Sequence, residues 1–351
     1  MRQALEEAWA NPSSVHAAGR RARALLEGAR ERIAAAIGAE PADVVLTSGG
    51  TEACNLGVRG LFAGGALVTT EIEHPAVARA VERMARERGA QVTRLAVLRG
   101  VPPDPADVAV AASAGGLAAV QWINHETGTR FPVERYAEAC QRVGARVFVD
   151  ATQALGKVPI DVRALGADAL AIASHKAGGP AGAGALWVRR GVDVDAVLSG
   201  GAQERGRRPG SPDLLACVGF GAACTVIGQR LETQPRLAAL RDRWEVAVRT
   251  LGGVINASDA PRVATVVSAS FRDRRGDDLV AAMDLEGVCV SSGAACSSGL
   301  SEPSAVLRAM YPDEPWRATG ALRSSFGPET TETDVEFAAA ALGRVLARRA
   351  V

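Results

Sequence analysis

Short apolar runs of strand length alternate with helically spaced apolar residues through most of this chain, and few folds accommodate that alternation. Helical spacing over 20–37 is followed by a buried run at 43–47. Further runs occupy 66–70, 117–124, 146–150, 169–173 and 184–188, with helical patterns at 75–88 and 132–143 between them. This predicts an α/β domain with a mostly parallel sheet, in which ligands gather at the carboxyl ends of the strands. Beyond about residue 229 the character changes to two helical stretches, a strand at 263–268, a helix over 277–285, strands at 288–290 and 321–325, and a last helix over 331–349. A smaller α+β domain is expected there. Two domains result, a large one over 12–230 and a small one combining 1–11 with 231–351, and 351 residues suffice for both.

A formal charge of +1 with 23% charged residues argues against a disordered, fibrous or nucleic-acid-binding protein. No apolar run reaches membrane-spanning length, and the first residues resemble the start of an amphipathic helix rather than a signal peptide, so we expect a cytoplasmic protein with no membrane association. The six cysteines form no CxxC pair and no metal-ligand spacing, and no metal is expected.

Of 40 basic residues only Lys157 and Lys176 are lysines. Arginine stays charged, whereas a desolvated lysine amine can attack a carbonyl. Lys176 follows the run at 169–173 and precedes Gly178-Gly179-Pro180, where a strand end would present it to a cleft; a surface lysine in a turn is the alternative. Lys157, in Gly156-Lys157-Val158-Pro159, reads as an ordinary loop lysine.

Other strand ends carry chemistry of their own. Thr47-Ser48-Gly49-Gly50-Thr51-Glu52 is a glycine turn between strand and helix, suited either to a phosphate at the helix N-terminus or to a plain N-cap. It lacks the features of a P-loop or a dinucleotide fingerprint. Asp150 ends an apolar run and calls for a cationic partner, or caps a helix. With Lys176 it would make the lysine-plus-aspartate pair that pyridoxal phosphate uses, the carboxylate on the pyridine nitrogen. Three of the four histidines, His74, His125 and His175, fall at strand ends, where they could stack on an aromatic cofactor, move protons, or serve as turn residues. Cys296 lies among small residues, Ser292-Gly293-Ala294-Ala295-Cys296-Ser297-Ser298-Gly299, in either an accessible reactive loop or a tight turn, while Cys289 reads as core. Arg323, inside an apolar strand, calls for a carboxylate from a substrate or from the protein itself.

Taken together, these segments resemble the cysteine desulfurase family, in the class V aminotransferase group of pyridoxal-phosphate enzymes. Asn11-Pro12-Ser13-Ser14-Val15-His16, the glycine turn, Glu73-His74, Asn124-His125-Glu126-Thr127-Gly128, Asp150-Ala151-Thr152-Gln153, His175-Lys176, Glu204-Arg205-Gly206, the Cys296 segment and Arg323 occur in family order over nearly the whole chain. The resemblance implies fold type I, with a mostly parallel sheet of the seven-stranded type and a smaller C-terminal α+β domain. It also implies that pyridoxal 5'-phosphate is held by Lys176, with Asp150 at its ring nitrogen, Gln153 at its phenolic oxygen and His74 on its ring face. Gly50, Thr51, Ser174 and His175 would contact the phosphate, as would Ser211 across a homodimer. Arg323 would bind the carboxylate of L-cysteine, with Asn124 and His125 nearby. Cys296, on a mobile loop, would take the substrate sulfur as a persulfide, leave L-alanine, and pass the sulfur to an acceptor or iron–sulfur scaffold protein. Lys176, Cys296 and His74 would be the catalytic set.

Departures from the family pattern are Ala173 where a serine is usual three residues before the lysine, with Ser174 one place later, His125 where many members have asparagine, and Ser211 for threonine. The family's opening Tyr-Leu-Asp-x-x-Ala-Thr-Thr segment does not precede Met1, and we expect a start assigned downstream of the true one. A selenocysteine lyase, or an idle shortened homologue acting as a partner-binding dimer, are the other readings.

Overall fold

The computed structural model describes residues 1–7, 9–293 and 302–348. Cys296 and its immediate neighbours lie outside the described residues. Seven strands, β1 (Val44–Thr47), β2 (Ala66–Thr70), β3 (Gln91–Leu95), β4 (Leu117–Gln121), β5 (Arg146–Asp150), β6 (Ala169–Ala173) and β7 (Gly184–Val188), form one sheet in the order β1-β7-β6-β5-β4-β2-β3. Only β7 runs against the rest, pairing antiparallel with both β1 and β6. The mostly parallel seven-stranded sheet expected from the sequence is thus present. A second, three-stranded antiparallel sheet joins β8 (Val254–Ile255), β9 (Val266–Ser270) and β10 (Ala321–Ser325) in the smaller C-terminal domain.

The central strands read as continuous apolar runs because helices cover both faces of the sheet. One face packs on helices Gly50–Leu61 and Pro75–Arg88 through Leu56, Val77, Val81 and Phe148. Gly57 lets the first of these helices approach the sheet: a Cβ there would stand 2.2 Å from Phe148 Cε2. The other face buries Ile33, Val120, Val149 and Ile172 with helices that include Ala17–Ala36 and Val133–Arg142. Helix Ala17–Ala36 starts where His16 Nδ1 accepts the Gly19 N–H (3.2 Å). It lies close on helix Leu214–Cys224, where a Cβ at Gly221 would come within 2.7 Å of Ala29 Cα. The C-terminal domain has its own core of Leu240, Trp244, Val267, Met283 and Leu342, between its sheet and helices Gln234–Thr250, Gly276–Leu285 and Glu332–Ala347.

Two departures from the sequence reading have simple causes. β3 was not anticipated because it is an edge strand whose side chains are mostly exposed, so no apolar run marks it. The strand expected at 288–290 is absent; the chain pairs only at Ser291, which exchanges backbone hydrogen bonds with Arg323 (2.6 and 3.1 Å). Val288 and Val290 pack as partly buried side chains on the C-terminal core without a ladder, which explains their apolar character, while Cys289 between them is exposed and not the core residue expected.

Candidate active site

The carboxyl ends of the parallel strands open onto a cavity of about 410 Å³, lined by Gly49, Gly50, Thr51, His74, His125, Asp150, Gln153, His175, Lys176 and Arg323, among others. Each wall has a local cause. After β1 the chain turns at Gly49 (φ 153°), a conformation that glycine tolerates, and enters helix Gly50–Leu61 with no side-chain cap. A Cβ on Gly50 would lie 3.1 Å from Ala173 Cβ, so glycine there brings the helix N-terminus against the end of β6. A Cβ on Gly184 would meet the Gly49 backbone at 2.5 Å, so β7 props the same turn. Glu52 braces it too, accepting the Ser48 N–H (2.6 Å) and pairing with Arg208 (2.8 Å).

His74 caps helix Pro75–Arg88, its Nδ1 accepting the Ala76 N–H (3.1 Å), which leaves Nε2 for the cavity. Its ring meets His125 edge-on, centroids 5.2 Å apart at 81°. Burial, followed by the cations of its neighbours, drives His125 down to about 3, and it is neutral at physiological pH. Its Nδ1 is buried without a hydrogen-bond partner among the described residues. Burial and Lys176 also lower His74, against the pull of Asp150, and lower His175. Asp150, buried at the end of β5, accepts the Thr152 N–H (2.9 Å). Behind it Cys54 is held well above its usual thiol range by burial and by the Asp150 charge. Burial, with Asp150 adding to it, raises neighbouring Glu73 to about 8. Lys176 ends the single turn Ser174–Lys176 after β6, exposed to the cavity. Arg323 reaches in from β10 and donates from Nη1 to the His125 carbonyl (3.1 Å).

The structure thus gathers Gly50, Thr51, His74, His125, Asp150, Gln153, His175, Lys176 and Arg323 at one place. It does not bring Ser174, Asn124 or Ser211 there. Ser174 is fully buried beneath the turn, its Oγ packed beside Gly179. Asn124 is fully buried and spends its amide on the loop itself, Oδ1 accepting the N–H groups of Glu126 (3.0 Å) and Thr127 (2.9 Å). Ser211 lines a separate cleft of about 500 Å³ with Arg30, Gln203 and Glu204.

Three further residues matter that the sequence reading passed over or left in the background. Gln121 and Cys54 line the cavity floor. Glu126 accepts the Ser304 hydroxyl (2.5 Å), and its carboxylate lies where a Cβ on Gly293 would come within 3.4 Å. Described residues on both sides of the Cys296 segment therefore converge on one buried carboxylate. Lys157 corrects an explicit expectation. It is no ordinary loop lysine: its Nζ donates to Gln153 Oε1, and burial, then the Lys176 and Arg323 cations, lower it to about 7.

An amine, a buried carboxylate and an uncapped helix N-terminus, set around a cavity at the strand ends of an α/β sheet, suit a pyridoxal-phosphate-dependent enzyme. The sequence profile described as Aminotransferase class-V matches residues 1–337. An IscS-like cysteine desulfurase of Mycobacterium tuberculosis is 38% identical over 367 residues, spanning 98% of this chain and 91% of the relative. The cysteine desulfurase IscS of Dictyoglomus turgidum is 35% identical over 356 residues, spanning 99% of this chain and 90% of its own. Among solved structures, a NifS-like protein superposes with a TM-score of 0.89 at 27% identity, covering 98% of this chain and 93% of that one. The structure titled SspA in complex with cysteine gives 0.80 at 27% identity, with 94% and 96% covered. The chain belongs to the class-V aminotransferases, a pyridoxal-phosphate-dependent family, and within them to the cysteine desulfurases.

Proposed function

We propose that this chain is an L-cysteine desulfurase that releases L-alanine and carries the sulfur as a persulfide on Cys296, for transfer to an acceptor protein in iron–sulfur assembly or thiolation. The observation that carries this reading is the convergence of Lys176, Asp150, His74 and Arg323 on one cavity. Pyridoxal phosphate, when bound, supplies an electron sink next to the substrate's α-carbon.

The chain's own residues divide the remaining work. Lys176 would hold the cofactor through its amine, and that amine, exposed to the cavity, would also supply a base there. Asp150 keeps the pyridine nitrogen protonated, and His74 covers the ring face. The uncapped first turn at Gly50 and Thr51, with His175, receives the phosphate. Gln153 donates to the phenolic oxygen. Arg323 binds the substrate carboxylate from the opposite wall. His125, neutral, lines the cavity next to Arg323 without adding charge. The Cys296 thiolate takes the substrate sulfur: a sulfur–sulfur bond forms, the carbon–sulfur bond breaks, and the β-carbon ends protonated as the methyl group of alanine. The lowered pKa values of His74 and His175 keep them as neutral proton carriers rather than fixed cations.

Further parts of the reading are a homodimer in which Ser211 reaches the neighbouring subunit's phosphate, a cytoplasmic location, and a division into 12–230 against 1–11 with 231–351. Among the described residues no helix is long and apolar enough to cross a membrane. The test is purification with the cofactor, a visible spectrum, and assay of alanine and sulfide after addition of L-cysteine. A visible band with stoichiometric alanine is expected. A coloured protein that forms no alanine from L-cysteine defeats the assignment.

A further inference from the structure

Lys157 is one of only two lysines in the chain, and it is not among the residues lining the cavity. Its neighbour four residues back, Gln153, does line the cavity. The turn between them is tight. The Lys157 N–H donates to the Ala154 carbonyl (2.9 Å), as does the Val158 N–H (3.1 Å), and Gly156 takes the left-handed conformation (φ 77°) that the turn requires. Gln234 Nε2 holds the Gly156 carbonyl from helix Gln234–Thr250 (3.3 Å). The Lys157 side chain, folded back by this turn, meets Gln153 Oε1.

A glutamine amide has one acceptor end and one donor end, and nothing in its shape decides which faces a ligand. Below about pH 7 Lys157 is an ammonium, which only donates, so in that form it takes the oxygen end as its partner and rejects the NH₂ end. With Oε1 committed to Lys157, Gln153 has its Nε2 donor left for the cavity. Resting on the pyridoxal-phosphate reading above, we propose that Lys157 is a positioning residue that fixes the Gln153 amide with its NH₂ toward the cofactor's phenolic oxygen. That oxygen is anionic or a strong acceptor. An amide turned the other way would place oxygen against oxygen there, exchanging a hydrogen bond for a repulsion. Lys157 acts through Gln153 and touches neither substrate nor cofactor.

The test is a double-mutant cycle read by equilibrium binding of pyridoxal 5'-phosphate to cofactor-free protein, alongside the position of the bound cofactor's visible band. Lys157→Met and Gln153→Ala should each weaken binding by about ten- to a hundredfold, the loss of one hydrogen bond to a charged acceptor. Both should move the visible band in the same direction. The double variant should bind no more weakly than either single one. Lys157→Arg, another donor-only cation, should restore both readouts, which a packing role for the lysine stem would not predict for a larger, planar head group. Additive losses in the double variant, or unchanged binding in Lys157→Met, overturn the proposal. So does a Lys157→Met protein whose visible band stays at the parent position. Failure of the parent to bind the cofactor at all instead removes the reading on which the proposal rests, and the proposal with it. Should Lys157→Met fail to fold, Lys157→Gln gives the same comparison, because its amide can face Gln153 either way and loses the forced orientation.

Discussion

One side of the cavity is assembled from five strand ends, and the other from a single strand of a different domain. On the sheet side, the turn after β1, His74 beyond β2, His125 beyond β4, Asp150 ending β5 and the Lys176 turn after β6 are held by the same hydrogen-bonded ladder. Across from them stand Arg323 on β10 and, paired to it through Ser291, the chain that runs on toward Cys296. The groups proposed to hold the cofactor are thereby fixed by a covered, seven-stranded sheet, while Arg323, proposed to take the substrate's carboxylate, sits on the smaller unit. A division of this kind separates binding of the cofactor from processing of the substrate, and substitutions on the two sides should fail differently.

The largest effect belongs to the sheet side. Lys176→Ala should lose the visible band and lower alanine formation by ~10²–10⁴-fold, the range expected when a positioned acid–base group is removed. Cys296→Ser should lower turnover by ~10²-fold or more yet keep the band and the affinity for the cofactor, so spectrum and activity separate cleanly. Arg323→Lys should raise KM for L-cysteine by roughly ten- to a hundredfold, with kcat changing less and the spectrum unaffected, because the bidentate grip on a carboxylate is lost. Gly57→Ala tests the scaffold beneath the sheet side. Its new methyl group would meet Phe148 at 2.2 Å and should lower stability by about 1–3 kcal/mol in thermal or urea unfolding.

The smallest effect is a dependence on pH. His125 is depressed to about 3 in the folded protein, so the unfolded chain takes up a proton that the folded chain refuses as pH falls below about 6.5. Its contribution is fully present above that pH and is lost progressively toward 3. His125→Asn should therefore destabilise less on acidification, by about 1 kcal/mol at about pH 5.5 relative to the parent. Parallel unfolding curves at pH 7.5 and 5.5 read the difference directly.

Much of the sheet side was legible because buried parallel strands are continuous apolar runs, and a polar residue at the end of such a run has few bland explanations. Asp150, His74 and Lys176 were found in that way. Edge strand β3 escaped because exposure on its faces removes the apolar signal. Side-chain direction within turns was not legible either: Ser174 and Asn124 stand in chemically plausible positions, yet one points beneath its turn and the other closes its own loop. Lys157 was misjudged for a related reason. Its surroundings in sequence are those of a loop, and only the fold-back through Gly156 brings its amine to Gln153. Arg323 was visible as a charge in an apolar strand, but the cavity it joins lies between elements far apart in sequence.

The most direct test of the account is mass analysis of the peptide containing Cys296 after the cofactor-loaded protein has been mixed with L-cysteine, with alanine counted in the same sample. The account predicts one added sulfur atom on Cys296 for each alanine released in a single turnover, and neither product in Cys296→Ser despite an intact visible band. Alanine released at the parental rate by Cys296→Ser, with no sulfur added to the protein, would contradict it.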